Sequence, residues 1–174
     1  MTGSKLRGVV VVAVLCLVPL ADRAALALER PELHFDKRKW KQGFQANQSN
    51  QRLVEYVLEG ETVENWSELV TAQLLLGVQE KSTLDEYLKF SEKVLRGSAK
   101  GNVEWKVIRR GPKEVLYEWK LTNDPKIPDQ HEIARVIVGR EGFHVLHYAA
   151  KTSKLPDDKR QEWIRLLSAA RILE

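Results

Sequence analysis

From residue 102 to residue 150 the chain alternates apolar and polar residues in four successive runs, with no helical pattern between them. In "NVEWKVIRR", Val103, Trp105 and Val107 alternate with Glu104 and Lys106; in "EVLYEWKL", Val115, Tyr117 and Trp119 oppose Glu118 and Lys120. "HEIARVIVG" and "FHVLHYAAK" make a second pair. A period of two marks strands. The connections "RGPK" and "GREG" are turn sequences, with Pro112 ready to fix φ in one and Gly139 and Gly142 open to positive φ in the other. Strands joined by turns this short run antiparallel, because parallel neighbours need long crossovers.

Before this block, "KWKQGFQA" and "QRLVEYVLEG" flank the polar cluster "NQSN" and read as a first hairpin. "STLDEYLKFSEKVLRG" carries Leu84, Tyr87, Leu88, Ser91, Val94 and Leu95 at three- and four-residue steps, which predicts a helix. Ser82 with Asp85 three residues on fits its start, and Gly97 its end. "PDDKRQEWIRLLSAARIL" predicts a second helix, with Pro156 and two Asp at its start and a stripe of Trp163, Ile164, Leu167 and Ala170. "LERPELHFDK" reads as an irregular lead-in. The order strands, helix, four strands, helix predicts an α+β domain. Its antiparallel β-sheet of about six to seven strands is packed by two main helices, and a parallel nucleotide-binding sheet is disfavoured.

The N-terminus bears on the compartment. Lys5 and Arg7 precede "VVVVAVLCLVPL", and Ala25 and Ala27 make an A-x-A site, the pattern of a signal peptide over 1–27 cleaved after Ala27. The apolar run falls short of the roughly 20 residues that span a bilayer. Residues 28–174 then form one domain, with no integral membrane segment left, in the periplasm or outside the cell. Cys16 and Met1 are the only Cys and Met in the chain, so neither a disulfide nor a Cys-based metal site is available to the domain. Losing Lys5, Arg7, Asp22 and Arg23 leaves 25 basic against 23 acidic residues. Without a basic block that balance gives no ground for a nucleic-acid partner.

The stretch "EGETVENWSELVTAQ", residues 59–73, is the most distinctive motif. Gly60 supplies a turn, Thr62 caps a single helical turn across "VENW", Trp66 wedges the bend, and "ELVTAQLLLG" continues as a strand, the alternative being one continuous helix from Val63. The run Glu61, Asn65, Trp66, Ser67, Glu68, Leu69, Val70, Thr71 and Gln73 resembles an "E…ENW[ST]E[LM]VT-Q" motif of small secreted bacterial proteins that are largely uncharacterised. That resemblance implies no catalytic residues, and Asn65, Trp66, Ser67 and Glu68 are expected to be a packing and turn device. The element order is similar in outline to PsbP-like α-β-α sandwiches, which implies fold and not function.

No nucleophile elbow and no phosphate-binding glycine loop occurs in the sequence. His144 and His147, three apart on a strand, point to opposite faces, so they are not expected to form a metal pair; His131 and Glu132 approach them across the hairpin only if the register allows. No metal and no cofactor is expected. Arg135, set in the apolar run "IARVIVG", is a candidate anion-binding residue, with His131, His144, His147 and Tyr148 as companions. Trp105, Trp119 and Trp163 are expected mainly in the core. The leading expectation is an exported, non-enzymatic domain that binds an unknown protein or small molecule in the cell envelope. The alternatives are an enzyme with a dispersed site around Arg135, His131, His144 and His147, or an amphiphile carrier with a cavity between helix 83–96 and the sheet.

Overall fold

A computed structural model describes residues 29–173. The leader and the site after Ala27 lie outside the described residues. Nine strands and two α-helices follow one another as β1 (Arg30–Glu32), β2 (Trp40–Asn47), β3 (Gln51–Leu58), β4 (Glu68–Leu76), α1 (Leu84–Ser98), β5 (Asn102–Arg110), β6 (Glu114–Thr122), β7 (Gln130–Val138), β8 (Gly142–Ala150), α2 (Asp157–Ala169) and β9 (Arg171–Leu173). A 3₁₀ turn spans Val78–Glu80.

Strands β2 to β8 form one antiparallel sheet in the order β2-β3-β4-β8-β7-β6-β5, so the expected α+β architecture holds. Two meanders, β2-β3-β4 and β5-β6-β7-β8, meet where β4 pairs with β8. That central seam explains why "ELVTAQLLL" is apolar at both parities: β4 is covered on both faces, not one. The lead-in is more regular than its sequence suggests. Arg30–Glu32 pairs with the last three strand residues, Arg171–Leu173, as a separate two-stranded ribbon, and Pro31 is tolerated because the ribbon is all edge.

The helices cover opposite faces. α1 places Tyr87, Leu88 and Leu95 against Val115, Tyr117, Trp119, Val136 and Phe143. α2 places Trp163, Leu166 and Leu167 against Leu116, Ile133, Leu146 and Tyr148. Trp163 stacks on Tyr148 at 3.9 Å between ring centroids and meets Trp40 edge-on at 5.6 Å. Trp119 is buried on the α1 face, and Trp105 stacks beside it on Tyr117 at 4.6 Å. Trp105, Trp119 and Trp163, expected mainly in the core, are therefore divided between the two faces.

Local details correct the sequence reading. α1 is capped by Thr83, not Ser82: its Oγ1 accepts the Glu86 N–H at 3.3 Å while Glu86 Oε2 accepts the Thr83 N–H at 2.8 Å. Glu is long enough to close this reciprocal pair, and the register shifts by one residue to use it. The helix runs through Gly97 to Ser98 and ends on Ala99 in extended conformation. "VENW" forms a tight turn bridged from Thr62 to Asn65, with no helix, although the Asn65 N–H does reach Thr62 Oγ1 at 3.3 Å.

Gly139 and Gly142 do not use positive φ; among the described glycines only Gly60 and Gly77 do. What they supply is close approach. A Cβ on Gly142 would stand 2.0 Å from the Leu75 carbonyl oxygen, and one on Gly139 would stand 2.4 Å from Glu29 Oε2. The Leu75 oxygen is backbone of the central seam and cannot rotate away. Gly142→Ala is therefore expected to lower stability by about 1–3 kcal/mol, as overpacking does, and urea unfolding followed by circular dichroism reads it.

Candidate functional site

On the α2 face every candidate side chain is tied to a structural partner. Arg135 Nη1 donates to the carbonyls of Leu167 at 2.8 Å, Ser168 at 3.1 Å and Ala170 at 2.9 Å, while Nε donates to Glu114 Oε2 at 3.1 Å and Nη2 bonds the same oxygen. The last carbonyls of a helix have no partner within it, and the Arg135 fork satisfies them from β7. His131 accepts the Leu155 N–H on Nδ1 at 3.0 Å, so Nε2 carries the proton and faces Glu118 at 3.3 Å. Glu118 in turn holds Arg160 at 2.6 and 2.9 Å. His144 Nε2 lies 3.2 Å from Glu29, which also accepts the Arg140 and Glu141 N–H groups at 2.9 and 3.0 Å. Burial pushes both His131 and His144 below the ordinary imidazole value, against the opposing pull of their Glu partners.

Tyr148 belongs to another knot. Its hydroxyl donates to Glu68 at 2.5 Å, alongside Arg38 at 2.7 and 2.8 Å and Lys159 at 2.5 Å. Arg38 also bonds Asp36, whose other oxygen takes the Trp40 indole N–H at 2.9 Å. Burial by itself raises the Glu68 carboxyl, but the donors from Arg38, Lys159 and Tyr148 outweigh it and hold it at about 2.

The rest of the motif shapes the turn ahead of β4. Ser67 donates N–H and Oγ–H to Glu61 at 2.9 and 2.5 Å. Trp66 is buried with Val57, Leu69 and Ala149, beneath Lys151 Nζ at 4.4 Å from the ring centroid. Asn65 contributes its backbone N–H to the Thr62 bridge.

His147 is different. Strand parity sets it on the α1 face, away from Arg135, His131, His144 and Tyr148, so the five candidates are not brought together. Its register partners are Thr71 on β4 and Ala134 on β7. Glu55 pairs with Thr71 from the other side, so Glu55, Thr71 and His147 form one row across β3, β4 and β8. Gln73 lies in the next row on the same face. Glu132 Oε1 takes His147 Nδ1 at 2.7 Å and the Trp119 indole N–H at 3.0 Å. Gln73 Nε2 donates to Gln51 Oε1 at 2.7 Å.

Two buried atoms of this floor have no partner: His147 Nε2 and Gln73 Oε1. His147 is 6% exposed, Gln73 2% and Glu55 7%. The Glu55 carboxyl makes no hydrogen bond to a described residue, and burial raises its pKa while His147 opposes the rise. Buried polar atoms without partners cost free energy and are uncommon in native proteins. The α2 face also holds buried partnerless atoms, His144 Nδ1 and Trp163 Nε1, but on the α1 face His147 and Gln73 lie in neighbouring rows beside the Glu55 carboxyl, and these three define the candidate site.

Sequence reasoning singled out His147 and named His131 and Glu132 as neighbours across the hairpin; of these Glu132 is the one that meets it. Glu55, Thr71 and Gln73 went unselected, although polar residues at every second position of "LVTAQLL" were a readable signal. Two surface clefts lie elsewhere, one of about 420 Å³ between the start of α1 and the β5–β6 turn, the other of about 530 Å³ beside Phe35, Trp40 and Tyr56. The first is lined by Gln79, whose Oε1 is buried without a partner, and the second holds no such atom. Among the described residues no cluster of three or more His, Cys, Asp or Glu has metal-binding geometry, and no helix is long and apolar enough to cross a membrane.

The fold and this floor define an antiparallel α+β domain with a polar patch set into one face of its sheet. A family model matches residues 28–172, and the chain belongs to that family, which is uncharacterised. No curated protein matches the chain.

Proposed function

We propose that the protein is an exported, non-enzymatic domain of the cell envelope, periplasmic or secreted, whose leader is removed after Ala27 and which binds a small molecule or a partner's side chain at the Glu55–Gln73–His147 floor. The carrying observation is the pair of buried, partnerless acceptors, His147 Nε2 and Gln73 Oε1. A domain lacking disulfides has every reason to fill such positions with apolar side chains, and retaining polar ones at a cost is the signature of a binding site. The signal pattern of residues 1–27 and a family match that begins at residue 28 support the export part of the reading.

Native mass spectrometry of the protein purified from its export compartment tests both parts. The expected spectrum shows the mass of residues 28–174 plus an adduct that is lost on denaturation. Gln73→Leu is expected to abolish the adduct; because it also strands Gln51 Oε1, the adduct and not the stability is the readout. An adduct-free mass would overturn the binding reading.

A second reading rests on the 2.7 Å His147–Glu132 bond, which orients the ring and leaves Nε2 open as a general base requires. It predicts turnover that His147→Gln removes while binding persists.

A further inference from the structure

We infer that the occupant of this floor presents a primary ammonium group on a short apolar or aromatic stem, an inference that rests on the binding reading above. The hydrogen-bond inventory decides the polarity. Glu132 as a carboxylate only accepts, so in the neutral ring the 2.7 Å bond places the proton of His147 on Nδ1 and leaves Nε2 as a lone-pair acceptor. Gln73 spends its amide N–H on Gln51, which leaves Oε1, again an acceptor. Glu55 brings a carboxyl with no donor of its own. Three acceptors and a second carboxylate thus share one face of the sheet with a single hydroxyl, that of Thr71, while the Trp119 indole and the Gln73 amide are already spent on Glu132 and Gln51.

An anion would meet the carboxyls of Glu55 and Glu132 and find only the Thr71 hydroxyl to donate to it. A tetrahedral ammonium offers three N–H groups for three acceptors. A quaternary ammonium has none to give, and a divalent cation would find too few ligands, since no cluster of three among the described residues is available.

The rim suits the same ligand. Phe44 stands directly across from Glu55 on β2 and is 44% exposed. On α1, Asp85 bonds Arg110 and Arg96 donates to the Val103 carbonyl at 2.8 Å, so that flank faces β5. Helical phase places Phe90, 48% exposed, on the opposite flank, toward the β4–β3 side of the floor. Exposed aromatic rings beside a carboxylate favour a cation with an apolar stem.

The test uses protein purified from the export compartment, dialysed, and titrated calorimetrically with phenethylamine, phenylacetate, choline and zinc chloride. The ¹⁵N resonance of His147 Nε2 supplies a readout that needs no variant. Phenethylamine is expected to bind and shift that resonance, with no response to phenylacetate or choline. Glu55→Gln should weaken the amine by about 10- to 100-fold, the loss of one charge-assisted hydrogen bond, whereas the exposed Glu104→Gln should leave it unchanged. If phenylacetate, choline or zinc binds as well as or better than phenethylamine and shifts His147, the ammonium class is overturned and the binding reading stands. If none of the four moves His147 and no adduct is present in native spectra, both fall.

Discussion

Arg135→Ala is expected to lower the unfolding free energy by about 3–5 kcal/mol, the cost of removing one partner of a buried, hydrogen-bonded charge. The variant leaves Glu114 with only the exposed Arg109, at 3.2 Å, and uncaps the carbonyls of Leu167, Ser168 and Ala170 at once. Because those carbonyls end α2, the damage should begin there, and hydrogen exchange should show α2 amides opening before those of β4 and β8. Arg135→Lys should recover only part of the loss, since an ammonium cannot reproduce a planar fork that serves a carboxylate and three carbonyls together. Chemical denaturation of the three proteins, with a shared m-value, decides it. A loss below about 1 kcal/mol, the range of surface ion pairs, would mean that the geometry at α2 carries little of its attachment.

Glu68→Gln is the second large effect, at about 2–4 kcal/mol, somewhat less because Arg38 and Lys159 keep partial contact with water. This residue joins the lead-in at Arg38, the centre of the sheet at Tyr148 and helix α2 at Lys159. It also makes the fold acid-sensitive in a defined window. The folded carboxyl titrates at about 2 against 4.5 in the unfolded chain, so between those values the unfolded state binds more protons. Stability from Glu68 is full above pH 4.5 and drains away as pH falls toward 2, on the order of 3 kcal/mol in total. His131 and His144 act earlier. Their folded pKa values lie below 6.5, so the unfolded state gains protons first, and stability starts to fall as the pH drops below about 6.5. Acid titration of the unfolding midpoint should show both stages in the wild-type protein and a smaller lower stage in Glu68→Gln, where Glu29, Asp36, Glu114 and Glu118 still titrate below their ordinary values.

The sheet and its helices were readable because each rests on a local period. The alternation in "EVLYEWKL" or the 3–4 spacing in "LDEYLKFSEK" survives in any surrounding. Two kinds of information were not local. The pairing of β4 with β8 joins residues about 75 positions apart, and only that seam explains why Leu69–Leu76 is buried on both faces. The short ribbon of Arg30–Glu32 with Arg171–Leu173 is likewise defined by a partner at the other end of the chain. The site suffered from the same limit. Arg135 was conspicuous as a charge among apolar residues, yet whether its fork meets a ligand or a helix end depends on where α2 lands. His147 was conspicuous by type, but Glu55 and Gln73 acquire meaning only through a cross-strand register that places them beside it. The turn glycines carried a signal with two readings: "GREG" suggested unusual φ, and the physical need was space for Glu29 and for the Leu75 carbonyl.

The β1–β9 ribbon has a mechanical consequence. Arg30 pairs with Leu173 and Glu32 with Arg171, so both ends of the described chain leave the molecule at the same end of the ribbon. Tension applied between them does not shear the long sheet. It peels three residue pairs apart one after another, and the load then passes to α2 on one side and to the lead-in before β2 on the other. Held by its termini in an optical trap, the molecule should lengthen at low force in one short step, and the seven-stranded sheet should give way only afterwards.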